Sequence, residues 1–141
     1  MAFSQLVNAQ EVEVVVDGPG DVTRLYLCQG IAEGSTSVSV QPGQFQAATD
    51  TWQFHVGPTL GAGDFRRAIA IMSFAGLSEQ DPSGGWMLYN LESFGADFDD
   101  DNSRVKVNVT NVLQVSNPSS TGWASSSITR LSYNVTILAA L

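Results

Sequence analysis

Residues 131–139 read Leu131-Ser132-Tyr133-Asn134-Val135-Thr136-Ile137-Leu138-Ala139. Leu131, Tyr133, Val135, Ile137 and Ala139 alternate with Ser132, Asn134 and Thr136. A period of two places successive side chains on opposite faces of a strand. A helix would repeat its apolar residues at i, i+3, i+4 and i+7 instead. The same period recurs upstream, where Trp52, Phe54 and Val56 share one face and Gln53 and His55 the other. In residues 104–115 the parity slips: Val105, Val107 and Val109 are odd, Val112 is even. The slip predicts a β-bulge near Thr110-Asn111.

Working outward, strands are predicted over residues 11–16, 22–29, 36–41, 51–56, 66–74, 86–91, 104–115 and 127–139. These runs are rich in Val, Ile, Tyr, Phe, Trp and Thr, which suit a pleated, half-buried surface. All five prolines fall between them. They sit in the turn-like stretches Asp17-Gly18-Pro19-Gly20, Gln41-Pro42-Gly43, Gly57-Pro58-Thr59, Asp81-Pro82-Ser83-Gly84 and Asn117-Pro118-Ser119. Proline cannot donate to a strand ladder, and glycine supplies the φ values that turns need. Residues 66–74 are apolar on both faces, which fits a central strand or a short buried helix. The Ser-rich stretch 116–127 reads as one long surface loop. About eight short strands separated by turns predict an all-β fold, an antiparallel sandwich or jelly roll formed by residues 1–141 as one domain.

Composition narrows the function classes. The chain has 141 residues, 43% apolar, enough for a packed core. Only 14% are charged, against a usual value of about 25%. Fourteen acids against six Lys and Arg give a net charge of −8. That excess argues against nucleic acid and anionic membrane surfaces as partners, since both are held by clustered Lys and Arg. The lone cysteine, Cys28, lies in an apolar run and reads as a small buried hydrophobe. No apolar run is long enough for a membrane span, and residues 1–10 lack the pattern of a signal peptide. The expectation is synthesis in the cytoplasm, with incorporation into a virion or another assembly as one destination. The Asn-Val-Thr triplets at Asn108 and Asn134 match a glycosylation pattern, which without a secretion signal is expected to be empty.

The second half resembles the H-type lectins. The residues that carry this are Ala70-Ile71-Met72-Ser73-Phe74-Ala75-Gly76-Leu77-Ser78, then Arg104-Val105-Lys106-Val107-Asn108-Val109-Thr110-Asn111-Val112, then the closing strand 128–138. The resemblance spans residues 65–139. It implies a small antiparallel sandwich that assembles as trimers or hexamers and binds sugars. This sequence departs from that pattern in an acidic insertion at residues 94–102 and in Trp123, which stands further from the last strand than the family's tryptophan.

Candidate functional residues are few. His55 is the single histidine and sits on the polar face of its strand. No nucleophile elbow or zinc-binding helix motif is present, and Gly61-Ala62-Gly63 lacks the lysine of a phosphate loop. The expected class is therefore non-enzymatic. The sharpest local feature is Asp97-Phe98-Asp99-Asp100-Asp101-Asn102. Asp97, Asp99 and Asp101 alternate and are candidate ligands for Ca²⁺, though the twelfth position from Asp97 is Asn108, not the glutamate of an EF-hand. The competing reading is a solvated turn with no cofactor. Trp86 follows Gly84-Gly85 and Trp123 follows Gly122. Either ring suits a sugar face, a protein interface or the end of the core. Arg66-Arg67 is a basic pair in an acidic chain, suited to an acidic patch on another copy or to an exposed strand start. Two function classes remain: an assembly or attachment subunit (virion, tail or filament) that associates with itself, and an oligomeric carbohydrate-binding protein with a glycan as partner.

Overall fold

The computed structural model describes residues 3–80 and 85–141. The turn at Asp81-Pro82-Ser83-Gly84 lies outside the described residues. Seven strands, and no helix, are found among the described residues: β1 (Phe3–Val15), β2 (Arg24–Val40), β3 (Phe45–Val56), β4 (Phe65–Gln80), β5 (Trp86–Asp99), β6 (Arg104–Ser116) and β7 (Ala124–Ala139). They form two antiparallel sheets, ordered β1-β2-β7-β4 and β3-β6-β5. β2 pairs with β7 and β3 with β6, so the chain is wound in nested pairs, as in a jelly roll. The predicted all-β sandwich is the observed fold.

The core lies between the two sheets. Trp52, Leu113, Ile128, Leu131 and Ile137 are its largest fully buried side chains. The closing strand follows the predicted register: Tyr133 and Val135 are buried, and Asn134 is exposed. Polar groups inside are mostly paired, as buried groups must be. The Trp52 indole Nε1 donates to Thr36 Oγ1 at 3.1 Å.

Four local expectations are corrected. The predicted strands 22–29 and 36–41 are one strand, β2, held by ladders to β1 and β7 on either side. Gly30 and Gly34 break the alternation in the sequence, but two neighbours override that weak local signal. Gly30 serves packing rather than a turn: a Cβ there would lie 2.6 Å from Tyr133 Oη and 3.1 Å from Ala9 Cα. β4 is neither a central strand nor a helix but an edge strand, with Ile69 and Ile71 exposed on its outer face. The Ser-rich loop ends earlier than expected, because Ser125, Ser126 and Ser127 already pair with β2 and β4.

The fourth correction concerns β6. Its ladder to β3 runs without a break from Val105 to Ser116, so the predicted bulge at Thr110-Asn111 is not in this strand. The irregularity lies across the sheet in β5, between Leu91 and Ser93. The parity does not change either. Val109, Asn111, Leu113 and Val115 all point inward, and Val112 points out. Asn111 occupies a core position that the pattern assigns to an apolar residue. Both its amide Nδ2 and Oδ1 are buried with no partner among the described residues. An unpaired buried polar group costs about 1–3 kcal/mol. Asn111→Leu is therefore expected to raise stability by about 1–3 kcal/mol. The check is a higher urea midpoint at unchanged slope; a lower midpoint would show that the amide is satisfied by a buried water.

Candidate functional surfaces

The sandwich brings the candidate residues to two opposite ends. At one end lie the 99–104 turn, the 57–64 connection and the C-terminal residues. Leu60 N donates to Ser103 O there, and Ala140 N to Asp64 O. At the other end lie the 40–45 turn and the 116–124 connection, joined by Asn117 N donating to Gln44 O.

The acidic stretch belongs to the first end. Residues 94–99 are part of β5 rather than an inserted loop, and only residues 100–103 turn. Asp97 lies opposite Lys106, and Asp99 opposite Arg104. The strand pattern was hidden in the sequence because the acids occupy its solvent face, while Phe98 packs inward on Phe65 with ring centroids 5.3 Å apart. Asp99 organises the turn. Its Oδ2 lies 2.7 Å from His55 Nε2 and accepts from Asn102 Nδ2 at 2.9 Å. Its Oδ1 accepts from Asp101 N at 3.2 Å. Ser103, at φ 52°, closes the turn in the left-handed region. Asp97 Oδ1 accepts from the next backbone N–H, that of Phe98, at 2.8 Å.

The Asp99 carboxylate is thus engaged with its own turn, and that of Asp97 with the backbone of β5. Among the described residues no three metal-ligating side chains converge. The His55 ring, the Asn102 amide and the Asp101 backbone hold the Asp99 carboxyl down at about 2, from an ordinary 3.8. The sign follows from linkage. A carboxyl with a lowered native pKa stabilises the fold above its unfolded value and loses that contribution as pH falls through its native value. The loss is expected between about pH 4 and pH 2. Asp99→Asn should flatten the stability profile across that window, and millimolar Ca²⁺ should raise the melting temperature no more than NaCl of equal ionic strength. A Ca²⁺-specific rise, abolished by Asp99→Asn with Asp101→Asn, would make the turn a cation site.

Arg66 and Arg67 part company. Arg66 Nε donates to Asp21 Oδ2 at 2.7 Å, and its Nη1 to Gly63 O at 2.6 Å. Its Nε and Nη1 are thus engaged within the chain. Arg67 points outward from β4, opposite Leu138. Cys28 is buried, as expected, and burial together with the nearby Glu11 charge pushes its thiol up to about 11. So high a value leaves it a poor nucleophile at neutral pH.

The aromatic candidates gather at the other end. Phe45 and Trp86 lie in one row of the outer face of the three-stranded sheet, both paired with Ser116. Their ring centroids are 5.8 Å apart with planes tilted by 45°. Leu88 follows in the next row. Trp86 is 52% exposed and Trp123 55%, so neither plugs the core. Trp123 ends a connection built around the buried Asn117. That side chain donates to Val40 O at 3.0 Å and Gly122 O at 2.8 Å and accepts from Ser119 N at 3.1 Å. Asn-Pro-Ser looked like surface loop chemistry, yet its asparagine is the internal scaffold. Phe45 was missed because it follows Gln41-Pro42-Gly43-Gln44 without alternation.

A second apolar surface was missed altogether. On the outer face of the four-stranded sheet, cross-strand register aligns Val12, Leu27, Thr136 and Ile69 in one row. Val14, Leu25, Leu138 and Arg67 form the row on one side of it, and Gln10, Gln29, Asn134 and Ile71 the row on the other. A depression of about 320 Å³ lies over the middle of this face, lined by Val12, Leu27, Gln10, Gln29 and Thr136 among others. The signal was present in Val12, Val14, Leu25 and Leu27, but alternation alone does not tell which face has a partner sheet.

No family model, curated protein or solved structure matches the chain.

Proposed function

We propose that this protein is a non-enzymatic assembly or attachment subunit that associates with copies of itself, of the kind that builds a virion, tail or filament. The observation that carries this reading is the segregation of exposed apolar side chains onto opposite outer faces. Phe45, Trp86 and Leu88 lie on the three-stranded sheet; Val12, Leu27, Ile69 and Ile71 lie on the four-stranded sheet. A contiguous apolar patch on a small protein marks a contact surface. Two patches facing opposite ways suit a subunit that is touched from both sides, as a repeated assembly requires. The low charge content supports the same reading, because interface centres are depleted of charge. Sedimentation over micromolar concentrations tests it. Species larger than one chain are expected, and a monomer at every concentration would overturn the reading.

The second reading is an oligomeric carbohydrate-binding protein, as the resemblance to H-type lectins implies. What favours it is the exposed Phe45–Trp86 pair, with an exposed Trp123 at the same end of the sandwich, since tilted, exposed rings can stack on the apolar face of a sugar. A glycan-array signal lost on Trp86→Ala or Trp123→Ala would move the assignment to this reading.

A further inference from the structure

Resting on the assembly reading, we infer that the outer face of the four-stranded sheet is the contact between two copies of this chain, packed face to face rather than joined edge to edge. Three observations lead there.

The edges are blunted. β1 and β4 are the two edges of this sheet. β1 shifts register between Phe3 and Gln5 and between Val7 and Gln10, where Asn8 adopts φ 54°. β4 shifts between Phe65 and Arg67, between Phe74 and Gly76 and between Gly76 and Leu77. Bulges of this kind twist an edge away from a regular ladder and discourage a further strand from pairing.

The face is large enough. Strands of 16 or 17 residues, at about 3.3 Å per residue, span roughly 50 Å. Four strands at about 4.8 Å cover roughly 19 Å. The product is on the order of 900 Å², close to the roughly 800 Å² per partner of a standard stable interface. Beyond the apolar rows lie small hydroxyls that bond to each other across the strands. Ser73 Oγ lies 2.6 Å from Ser132 Oγ, and Ser37 Oγ 2.8 Å from Ser127 Oγ.

The charge pattern fits a second copy. The chain carries −8, yet the three aligned rows hold one charge, Arg67. Two copies meeting on these three rows bring no carboxylates into the contact; Glu33, further along the same face, is paired with Arg130 at 3.3 Å. A strongly basic partner would find few carboxylates here to pair with. The geometry suits a two-fold contact in which the same rows meet themselves. Salt then acts in a definite direction. Added NaCl screens the repulsion between two −8 chains and should tighten the contact, whereas a contact made of ion pairs would loosen.

The test compares the full chain with Ile71→Lys, Ile69→Lys and Trp86→Lys by sedimentation at several protein and NaCl concentrations. Ile71 is 65% exposed, so its lysine variant should fold, and an unchanged circular dichroism spectrum and urea midpoint would confirm that. If the face is the contact, Ile71→Lys and Ile69→Lys should each weaken association by at least ~30-fold, the size of a hot-spot loss. Trp86→Lys should leave the two-chain species intact, and association should tighten as NaCl rises. Association that survives both isoleucine variants, or weakens with NaCl, would overturn the face contact while leaving the assembly reading standing. A wild-type chain that is monomeric throughout would overturn both.

Discussion

Tyr133→Asp is expected to yield no soluble folded protein, while Asn134→Asp, one position on, is expected to fold normally. Tyr133 is 2% exposed and its ring centroid lies 5.2 Å from that of Phe54. Its hydroxyl runs under Gly30, where no other residue leaves room for it. Removing the ring forfeits roughly 1.5–3 kcal/mol of burial. The carboxylate adds several kcal/mol more, because a charge in an apolar core has neither water nor a partner. A domain of this size is stable by about 5–15 kcal/mol in all, so the sum removes most or all of it. Asn134 faces solvent, and exposed substitutions usually change stability by no more than about 0.5 kcal/mol. Soluble yield and the urea midpoint read both variants. Equal damage from the two would reverse the register of β7. Tyr133→Phe separates ring from hydroxyl and is expected to fold at nearly wild-type stability.

That register could be read from the sequence because β7 has strong alternation over nine residues and is covered on one face only. Where the alternation fails, the reading failed for a physical reason in each case. Gly30 and Gly34 interrupt β2, yet the strand continues because β1 and β7 hydrogen-bond to both its sides. Asn111 interrupts β6 in the sequence but not in space, since the ladder to β3 fixes which side it faces. Local pattern cannot report a decision taken by neighbouring strands.

The candidate residues show the same division. His55, Asp97, Asp99 and Asp101 were visible as residue types, and His55 does meet Asp99. Their meeting spans the width of the sheet, because β3 and β5 lie on either side of β6. Nothing in a linear sequence places position 55 beside position 99. Trp86 and Trp123 were visible as tryptophans; Phe45 joins Trp86 only because both pair with Ser116. The apolar face of the four-stranded sheet is a property of register across four strands. It becomes legible only once strand order is known.

Trp52 offers the sharpest energetic test of the core, because its ring and its N–H can be removed separately. It is fully buried, and its Nε1 donates to Thr36, which is also fully buried. Thr36 stands in β2 and Trp52 in β3, so this bond joins the two sheets. Trp52→Ala is expected to cost about 3–5 kcal/mol through lost contact and the cavity left behind. Thr36→Val keeps the shape but strands the indole N–H in an apolar space, at about 1–3 kcal/mol. Trp52→Phe removes the donor and leaves a smaller cavity, with the threonine hydroxyl unpaired. In Trp52→Phe with Thr36→Val neither polar partner remains, so no orphaned group is left to desolvate. The double variant should therefore lose less than the sum of the two single losses, by about 0.5–3 kcal/mol of coupling. Urea midpoints of the four proteins measure that cycle. Strict additivity would mean that the bond contributes nothing to joining the sheets, and that ring packing alone carries the Trp52 contribution.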